Sequence, residues 1–93
     1  MRVAFLDRDG VINKETNYLY KFDEMEYVPG SLEALQKILS FDYKIIIVTN
    51  QAGIAKGYYT EEQYRIFTNL FIKNLGANGI DILDVFHCPH HPD

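Results

Sequence analysis

Along this chain, segments with the hydrophobic pattern of a β-strand alternate with segments with the hydrophobic pattern of an α-helix. Residues 3–6 form a continuous apolar run, and residues 44–49 form a second segment that is β-branched and almost wholly apolar. Such runs are typical of strands buried on both faces of a sheet, the second one central. Between them, apolar residues recur at helical spacing after Ser31, a favourable N-cap residue. This order predicts a right-handed βαβ unit with a parallel sheet.

The second half of the chain continues the same alternation. Thr60 and Gln63 have the spacing of a capping box, which predicts a helix from there to about Asn74. One face of that helix is apolar and is expected to enter the core, through Tyr64, Phe67, Phe71 and Leu75. Glycines after this helix predict its end, and residues 80–86 predict a third strand.

The connection formed by residues 13–28 is unusually rich in aromatic residues. It contains Tyr18, Tyr20, Phe22 and Tyr27. Two interpretations remain open: these side chains pack as a flap or short hairpin over the end of the first strand, or they anchor a loop on the core.

Composition limits the class of protein. A chain of 93 residues is one small domain or part of one, and its apolar fraction of 47% is ordinary for a globular protein. The net charge of −4 argues against a non-specific nucleic-acid binder. A single cysteine excludes an internal disulfide and favours a reducing, cytoplasmic location. We see no signal peptide and no apolar run near the length of a membrane span, so no membrane partner is expected.

Two carboxylates follow the first strand directly. Asp7 and Asp9 lie two residues apart, and Gly10 behind them allows a sharp turn. Ligands of open α/β sheets bind at the carboxyl ends of the strands, so the pair is well placed for chemistry. One carboxylate could act as a nucleophile and the other as a general acid and base, with Mg²⁺ neutralising the site. The alternative is a solvated turn, in which Asp and Gly are common.

The loop after the second strand, residues 49–57, is built of small and neutral polar residues. Thr49 and Asn50 offer a hydroxyl and an amide, Gly53 leaves backbone N–H groups accessible, and Lys56 adds a charge. Such a loop can hold a phosphate through neutral donors. Its alternative is a plain strand-to-helix turn, but the adjacent acidic pair favours phosphate.

The chain ends with a cluster of possible zinc donors. Cys88 and His90 have the spacing of half a zinc site, and His91 is a weaker candidate. Structural zinc needs four ligands, so the cluster is incomplete by itself. Taken alone, it is better interpreted as a surface turn.

Four segments together resemble one protein family. FLDRDGVIN resembles the first motif of the haloacid-dehalogenase (HAD) superfamily of phosphohydrolases. VTNQAGIAKG resembles its second motif, in the form found in the branch of histidinol-phosphate phosphatase and D-glycero-D-manno-heptose 1,7-bisphosphate phosphatase; YYTEEQ and HCPHHPD resemble the heptose enzymes. The resemblance implies a three-layer Rossmann-like α/β fold with a mainly parallel sheet. Residues 1–93 would form the N-terminal part of one HAD-like hydrolase domain, ending after about the third core strand.

The resemblance also implies a reaction. It is Mg²⁺-dependent phosphomonoester hydrolysis, on a sugar phosphate such as D-glycero-D-manno-heptose 1,7-bisphosphate. Asp7 would form an aspartyl-phosphate, Asp9 would act as general acid and base, and Thr49 would bind the phosphoryl group. The Asp7 side chain and the Asp9 backbone carbonyl would hold Mg²⁺, and Cys88 and His90 would bind structural Zn²⁺. Substrate contacts would come from Arg8, Glu15, Thr16, Asn17, Tyr18, Asn50, Gln51 and Ala52.

Three elements of the family pattern lie beyond the last residue of this sequence: a lysine motif, a second acidic motif and the Cys-x-Cys of the zinc loop. We therefore expect one side of the sheet to be uncovered. We expect this chain alone to have little phosphatase activity and to bind Mg²⁺ weakly, with a second chain or self-association completing the fold.

Alternative functions remain open on the sequence. A histidinol-phosphate phosphatase would use the same chemistry. A polynucleotide 3′-phosphatase would share the second motif, but the negative charge and the Cys-Pro-His-His segment count against it. The remaining alternative is a non-catalytic module, an inactive fragment that binds a partner.

Overall fold

Three parallel strands form the sheet of this protein, whose computed structural model describes residues 1–89. The strands are β1 (Arg2–Asp7), β2 (Tyr43–Asn50) and β3 (Asp84–Cys88), and β2 lies between the other two. Parallel pairing requires a long crossover between successive strands, and helices lie in both crossovers. The predicted α/β fold with a parallel sheet and a central second strand is confirmed.

The helices follow the predicted pattern with shifted ends. They are a 3₁₀ turn (Phe22–Glu24), α1 (Ser31–Ser40), α2 (Ala52–Ala55) and α3 (Glu61–Ala77). The capping box is confirmed, because Thr60 Oγ1 accepts from the Gln63 backbone at 3.0 Å and Gln63 Oε1 accepts from the Thr60 backbone at 2.8 Å. The one-turn helix α2 falls within the segment predicted as a loop. No helix among residues 1–89 combines the length and the apolar character that a bilayer crossing requires.

The core lies on one face of the sheet. Ile45 and Ile47 of β2 are fully buried there, against Leu35 of α1 and the apolar face of α3. That face consists of the predicted residues Tyr64, Phe67, Phe71 and Leu75, all of which are buried. Both long helices therefore pack on the same side of the sheet.

The opposite face of the sheet is exposed and carries an apolar patch. Phe5, Val48 and Phe86 are 65%, 40% and 54% exposed. They share a face because Phe5 pairs with Ile46, while Val48 pairs with Asp7 and with Phe86. The prediction that the first strand is buried on both faces is wrong for the described residues, since both long helices cover the other face. The expectation of one uncovered side is confirmed.

Two element boundaries differ from the prediction for identifiable reasons. The N-cap of α1 is Gly30, at φ 83°, and not Ser31. The Ser31 hydroxyl instead donates to the Ile12 carbonyl at 2.9 Å, so it fixes the preceding loop. β3 begins at Asp84 and not at Ile80, because the Ile80 N–H donates to Leu75 and still belongs to the end of α3.

The aromatic connection divides its side chains between both predicted roles. Phe22 and Tyr27 anchor on α3, with ring centroids 5.9 Å from those of Phe67 and Phe71 respectively. Tyr18 and Tyr20 pack instead against the loop between α2 and α3. We call residues 14–21 the flap.

The capping box gives a direct test of α3. Replacing Thr60 with Ala removes the side-chain acceptor for an otherwise unpaired N–H, so the free energy of unfolding should fall by about 1 kcal/mol. Urea denaturation followed by circular dichroism measures this change. Arg65→Ala, at an exposed position of the same helix, is the control and should leave stability nearly unchanged. Equal stability of the Thr60 variant and wild type would contradict the assigned cap.

Candidate active site

The carboxyl ends of β1 and β2 bring the predicted catalytic residues together. Asp7 is in register with Val48, so the acidic turn and the Thr49 loop begin side by side. Asp7, Asp9 and Thr49 line one cleft of about 240 Å³. Its other lining residues are Arg8, Glu15, Val48 and Asn50. This arrangement puts two carboxylates and a hydroxyl within reach of one small anionic group.

Asp9 is held from several directions. Its Oδ1 accepts from Arg8 Nη2 at 2.9 Å and from Asn13 Nδ2 at 3.0 Å. Arg8 is only 3% exposed, and its guanidinium carbon lies 4.6 Å from the centre of the Phe67 ring. The side chain predicted to contact substrate is thus buried between Asp9 and the core, although it still lines the cleft. A part-buried bidentate pair of this kind fixes the Asp9 carboxylate firmly.

Asp7 has a contrasting environment. It lies at the exposed end of β1, and within residues 1–89 no side-chain hydrogen bond or ion pair engages its carboxylate. An exposed, unpaired carboxylate can bind a cation or approach a substrate without first breaking a contact. The two acidic residues therefore differ in the way that a nucleophile and a positioned acid–base group should differ.

Thr49 belongs to a buried polar chain. Gln51 Nε2 donates to Thr49 Oγ1 at 2.8 Å, and the Tyr59 hydroxyl donates to Gln51 Oε1. Thr49 Oγ1 lies 3.4 Å from Asp9 Oδ2, so the chain reaches the acidic pair. Burial raises the pKa of Tyr59 to about 12, with Arg8 opposing and Asp9 reinforcing the shift. The Tyr59 hydroxyl therefore stays protonated and remains a donor at neutral pH.

A second, larger cleft adjoins the first. Its volume is about 310 Å³, within the usual range for small-molecule sites, and it shares Asp9 with the smaller cleft. The flap forms one wall and the loop after β2 forms the other. All eight predicted substrate-contacting residues line it: Arg8, Glu15, Thr16, Asn17, Tyr18, Asn50, Gln51 and Ala52.

Tyrosine pairs hold the flap in place. The Tyr18 and Tyr58 rings have centroids 4.4 Å apart, and the Tyr20 and Tyr59 rings stack at 5.4 Å. Lys56 Nζ, predicted as a charge contact, donates to the Tyr18 hydroxyl at 2.8 Å. Sequence reasoning missed the roles of Tyr58 and Tyr59. The available signal was two adjacent aromatic residues just before a capping box.

The donor set of the smaller cleft fits Mg²⁺. Asp7, Asp9 and Glu15 all offer oxygen ligands there. No three acidic, histidine or cysteine side chains in the described part of the chain converge as a complete metal site. Mg²⁺ is commonly held by one or two carboxylates together with substrate phosphates, so the predicted pair of ligands, the Asp7 carboxylate and the Asp9 backbone carbonyl, would suit it.

The predicted zinc donors are placed incompletely. Cys88 ends β3 as an exposed free thiol. His90 and His91 lie outside the described residues, so the proposed pairing of Cys88 with His90 stays a prediction. His87, next to Cys88, has its Nε2 2.5 Å from Glu61 Oε1.

Comparisons with known proteins agree with this fold. No family model matches the chain. The chain is 57% identical over 93 residues to D-glycero-alpha-D-manno-heptose-1,7-bisphosphate 7-phosphatase of Photorhabdus laumondii, covering all of this chain and 51% of that protein. It is 38% identical over 92 residues to the corresponding beta-anomer enzyme of Pasteurella multocida, covering 99% of this chain and 50% of that one.

A solved structure also matches the whole chain. The D,D-heptose 1,7-bisphosphate phosphatase of B. bronchiseptica, complexed with magnesium and phosphate, superposes with a TM-score of 0.89 at 33% identity. The match covers all of this chain and 52% of that one. The chain thus spans about half the length of the relatives it matches.

These findings define the chain first as a HAD-like α/β protein homologous to sugar bisphosphate phosphatases. More narrowly, it matches the N-terminal part of the D-glycero-D-manno-heptose-1,7-bisphosphate 7-phosphatase family. The resemblance inferred from the motifs is confirmed.

Gly53 provides a test of how the flap is packed. A Cβ atom at this position would lie 2.4 Å from Tyr59 Cε1 and 2.9 Å from Tyr18 Cδ1. Gly53→Ala should therefore displace both rings and lower the free energy of unfolding by about 1–3 kcal/mol. Urea denaturation measures the loss.

The matched control is the same substitution in open space. Gly76 lies in α3, and a Cβ there would meet no atom within 4 Å. Gly76→Ala should raise stability by about 0.5 kcal/mol, because alanine is the better helix former. Similar effects of the two substitutions would show that Gly53 is not packed as described.

Proposed function

We propose that this site hydrolyses a phosphomonoester with the aid of Mg²⁺, through an aspartyl-phosphate on Asp7. The observation that carries the proposal is the meeting of Asp7, Asp9 and Thr49 in one cleft at the ends of neighbouring strands. The magnesium and phosphate named for the B. bronchiseptica protein support the same chemistry. The exposed Asp7 carboxylate suits a nucleophile, and the fixed Asp9 suits a proton carrier.

The proposed reaction has two steps. An Asp7 oxygen attacks phosphorus, the bond to the alcohol oxygen breaks, and Asp9 gives its proton to that leaving oxygen. Asp9 then takes a proton from water, which attacks the aspartyl-phosphate, frees inorganic phosphate and restores Asp7. Thr49 donates a hydrogen bond to the transferring phosphoryl group. Bound Mg²⁺, held by Asp7 and the Asp9 carbonyl, would neutralise charge on the phosphoryl oxygens.

We propose D-glycero-D-manno-heptose 1,7-bisphosphate as the substrate. The relatives described above carry this activity in their names. The larger cleft has room for a sugar beside the phosphoryl site and is lined by polar flap residues such as Glu15, Thr16 and Asn17. Histidinol phosphate is the alternative substrate, and a panel of phosphate esters separates the two.

Zinc binding and location belong to the same proposal. Cys88 and His90 would provide two ligands of a structural zinc site that needs further donors to be complete. The free Cys88 thiol and the absence of a second cysteine in the sequence support a reducing, cytoplasmic compartment.

We also propose that a second polypeptide segment covers the exposed sheet face, namely one equivalent to the half of the relatives that this chain does not match. The face formed by Phe5, Val48 and Phe86 is apolar and lacks a helix layer in the described part of the chain. Asp7 extends from the same face. A covering layer would therefore bury apolar surface and shield the nucleophile from bulk water at once.

The function is tested by supplying that segment. The 93-residue chain alone should bind Mg²⁺ weakly and release little phosphate from the heptose bisphosphate. Mixed with the unmatched half of the Photorhabdus laumondii relative, it should gain phosphatase activity, measured as phosphate release. Asp7→Asn should then lower turnover by about 10³-fold or more, because the nucleophile is lost.

Asp81→Asn, in the exposed turn before β3, is the control. Full activity of the Asp7 variant would refute the mechanism.

The covering segment is tested separately from the chemistry. Phe5→Asp puts a charge on the exposed face and should abolish formation of the mixed complex, measured by size-exclusion chromatography with light scattering. Phe41→Asp changes an equally exposed aromatic residue at the end of α1 and should leave the complex intact. An unchanged complex with the Phe5 variant, or self-association in place of a mixed complex, would contradict the proposed covering.

A further inference from the structure

We infer that Tyr59 is a positioning residue that fixes the orientation of the Gln51 amide and thereby reserves the Thr49 hydroxyl proton for the phosphoryl group. The role of the Thr49 proton toward a phosphoryl group rests on the proposed function. The orientation of the Gln51 amide does not depend on that function. It concerns a tyrosine that lies outside the predicted catalytic set and in direct contact with a member of the predicted substrate loop.

Tyr59 is held rigidly in place. It is 5% exposed, and Tyr20 of the flap stacks on its ring at 5.4 Å. Gly53 makes room for the ring, because any Cβ there would collide with it. Packing on both sides of the ring thus directs the hydroxyl at Gln51. Because Tyr20 belongs to the flap, its stacking on Tyr59 couples the position of the flap to the hydrogen bond between Tyr59 and Gln51.

The charge of Asp9 decides which end of the Gln51 amide faces the site. The amide atom that contacts Thr49 Oγ1 at 2.8 Å also lies 3.5 Å from Asp9 Oδ2. An amide oxygen there would be repelled by the carboxylate, whereas an NH₂ group is attracted. The NH₂ group therefore faces Thr49 and Asp9, and the amide oxygen faces Tyr59. A tyrosine hydroxyl is protonated at neutral pH, and burial raises the pKa of Tyr59 further, so this hydroxyl can satisfy that oxygen.

This orientation determines what Thr49 can do. Its oxygen already accepts a hydrogen bond from Gln51, so its own proton must be donated elsewhere. The available acceptor is Asp9 Oδ2 at 3.4 Å, a long and weak contact. A phosphoryl oxygen entering the cleft offers a better acceptor. Without the Tyr59 hydroxyl, the amide oxygen is left unpaired, and turning the amide would consume the Thr49 proton instead.

The experiment compares Tyr59→Phe with wild type in two measurements. The Gln51 contacts are observed in the 93-residue chain, and phosphate affinity is measured in its mixed complex with the unmatched half of the Photorhabdus laumondii relative. In wild type, the Gln51 side-chain NH₂ protons should show nuclear Overhauser effects to Thr49 and not to the Tyr59 ring. In the variant, these contacts should weaken or move. Affinity for inorganic phosphate in the presence of Mg²⁺, measured by ³¹P NMR titration, should fall about fivefold, as expected for one lost hydrogen bond. Gly53→Ala, which displaces the same ring, should reproduce both changes.

Tyr43→Phe at the start of β2, at the other end of the sheet, is the matched control and should change neither measurement. Unaltered Gln51 contacts and phosphate affinity in Tyr59→Phe would overturn the inference. Wild-type Gln51 NH₂ protons close to the Tyr59 ring would overturn it as well. If the wild-type mixed complex fails to bind phosphate while the Gln51 contacts are as expected, the proposed function fails and the assigned orientation stands.

Discussion

The parallel pairing of β1 with β2 is the constraint on which the rest of this structure depends. Its register sets Asp7 opposite Val48, so the acidic turn and the polar loop emerge together at one edge of the sheet. A shift of one residue would exchange the two faces of β1 and separate Asp7 from the loop that follows Val48. The same pairing directs Ile45 and Ile47 toward the helices. The packing of the core and the position of the site therefore depend on the same strand register.

The site combines a fixed part and an accessible part. Asp9 and Thr49 are held by buried partners, Arg8 and Gln51, whose own polar groups are used in doing so. Asp7 is left exposed at the strand end. Buried, mutually satisfied polar groups are rigid, and this rigidity would let a small cleft position an anion without a large reorganisation. Stacked tyrosines hold the flap and add to the rigidity of the site.

The two faces of the sheet have different consequences for stability and chemistry. One face is closed by α1 and α3, and it contains the core. The other presents Phe5, Val48 and Phe86 beside Asp7. An exposed apolar surface of this kind favours association, and an exposed carboxylate works in a high dielectric, where charge interactions are weak. The relatives are about twice as long as this chain. A further layer on this face would bury the apolar surface and lower the dielectric around Asp7.

The sequence by itself determined what depends on neighbouring residues. Apolar runs predicted the strands, and the Thr60–Gln63 spacing predicted the start of α3. The motifs around Asp7 and Thr49 predicted residues that the fold brings together in one cleft at the sheet edge. Tertiary structure decided what depends on residues distant in the chain. It left one face of β1 open, buried Arg8 against Phe67, and joined Tyr59 through Gln51 to the cleft. The hydrophobic periodicity of a segment indicates which side chains share a face of a strand or helix. Which other element packs against that face depends on how the whole chain folds.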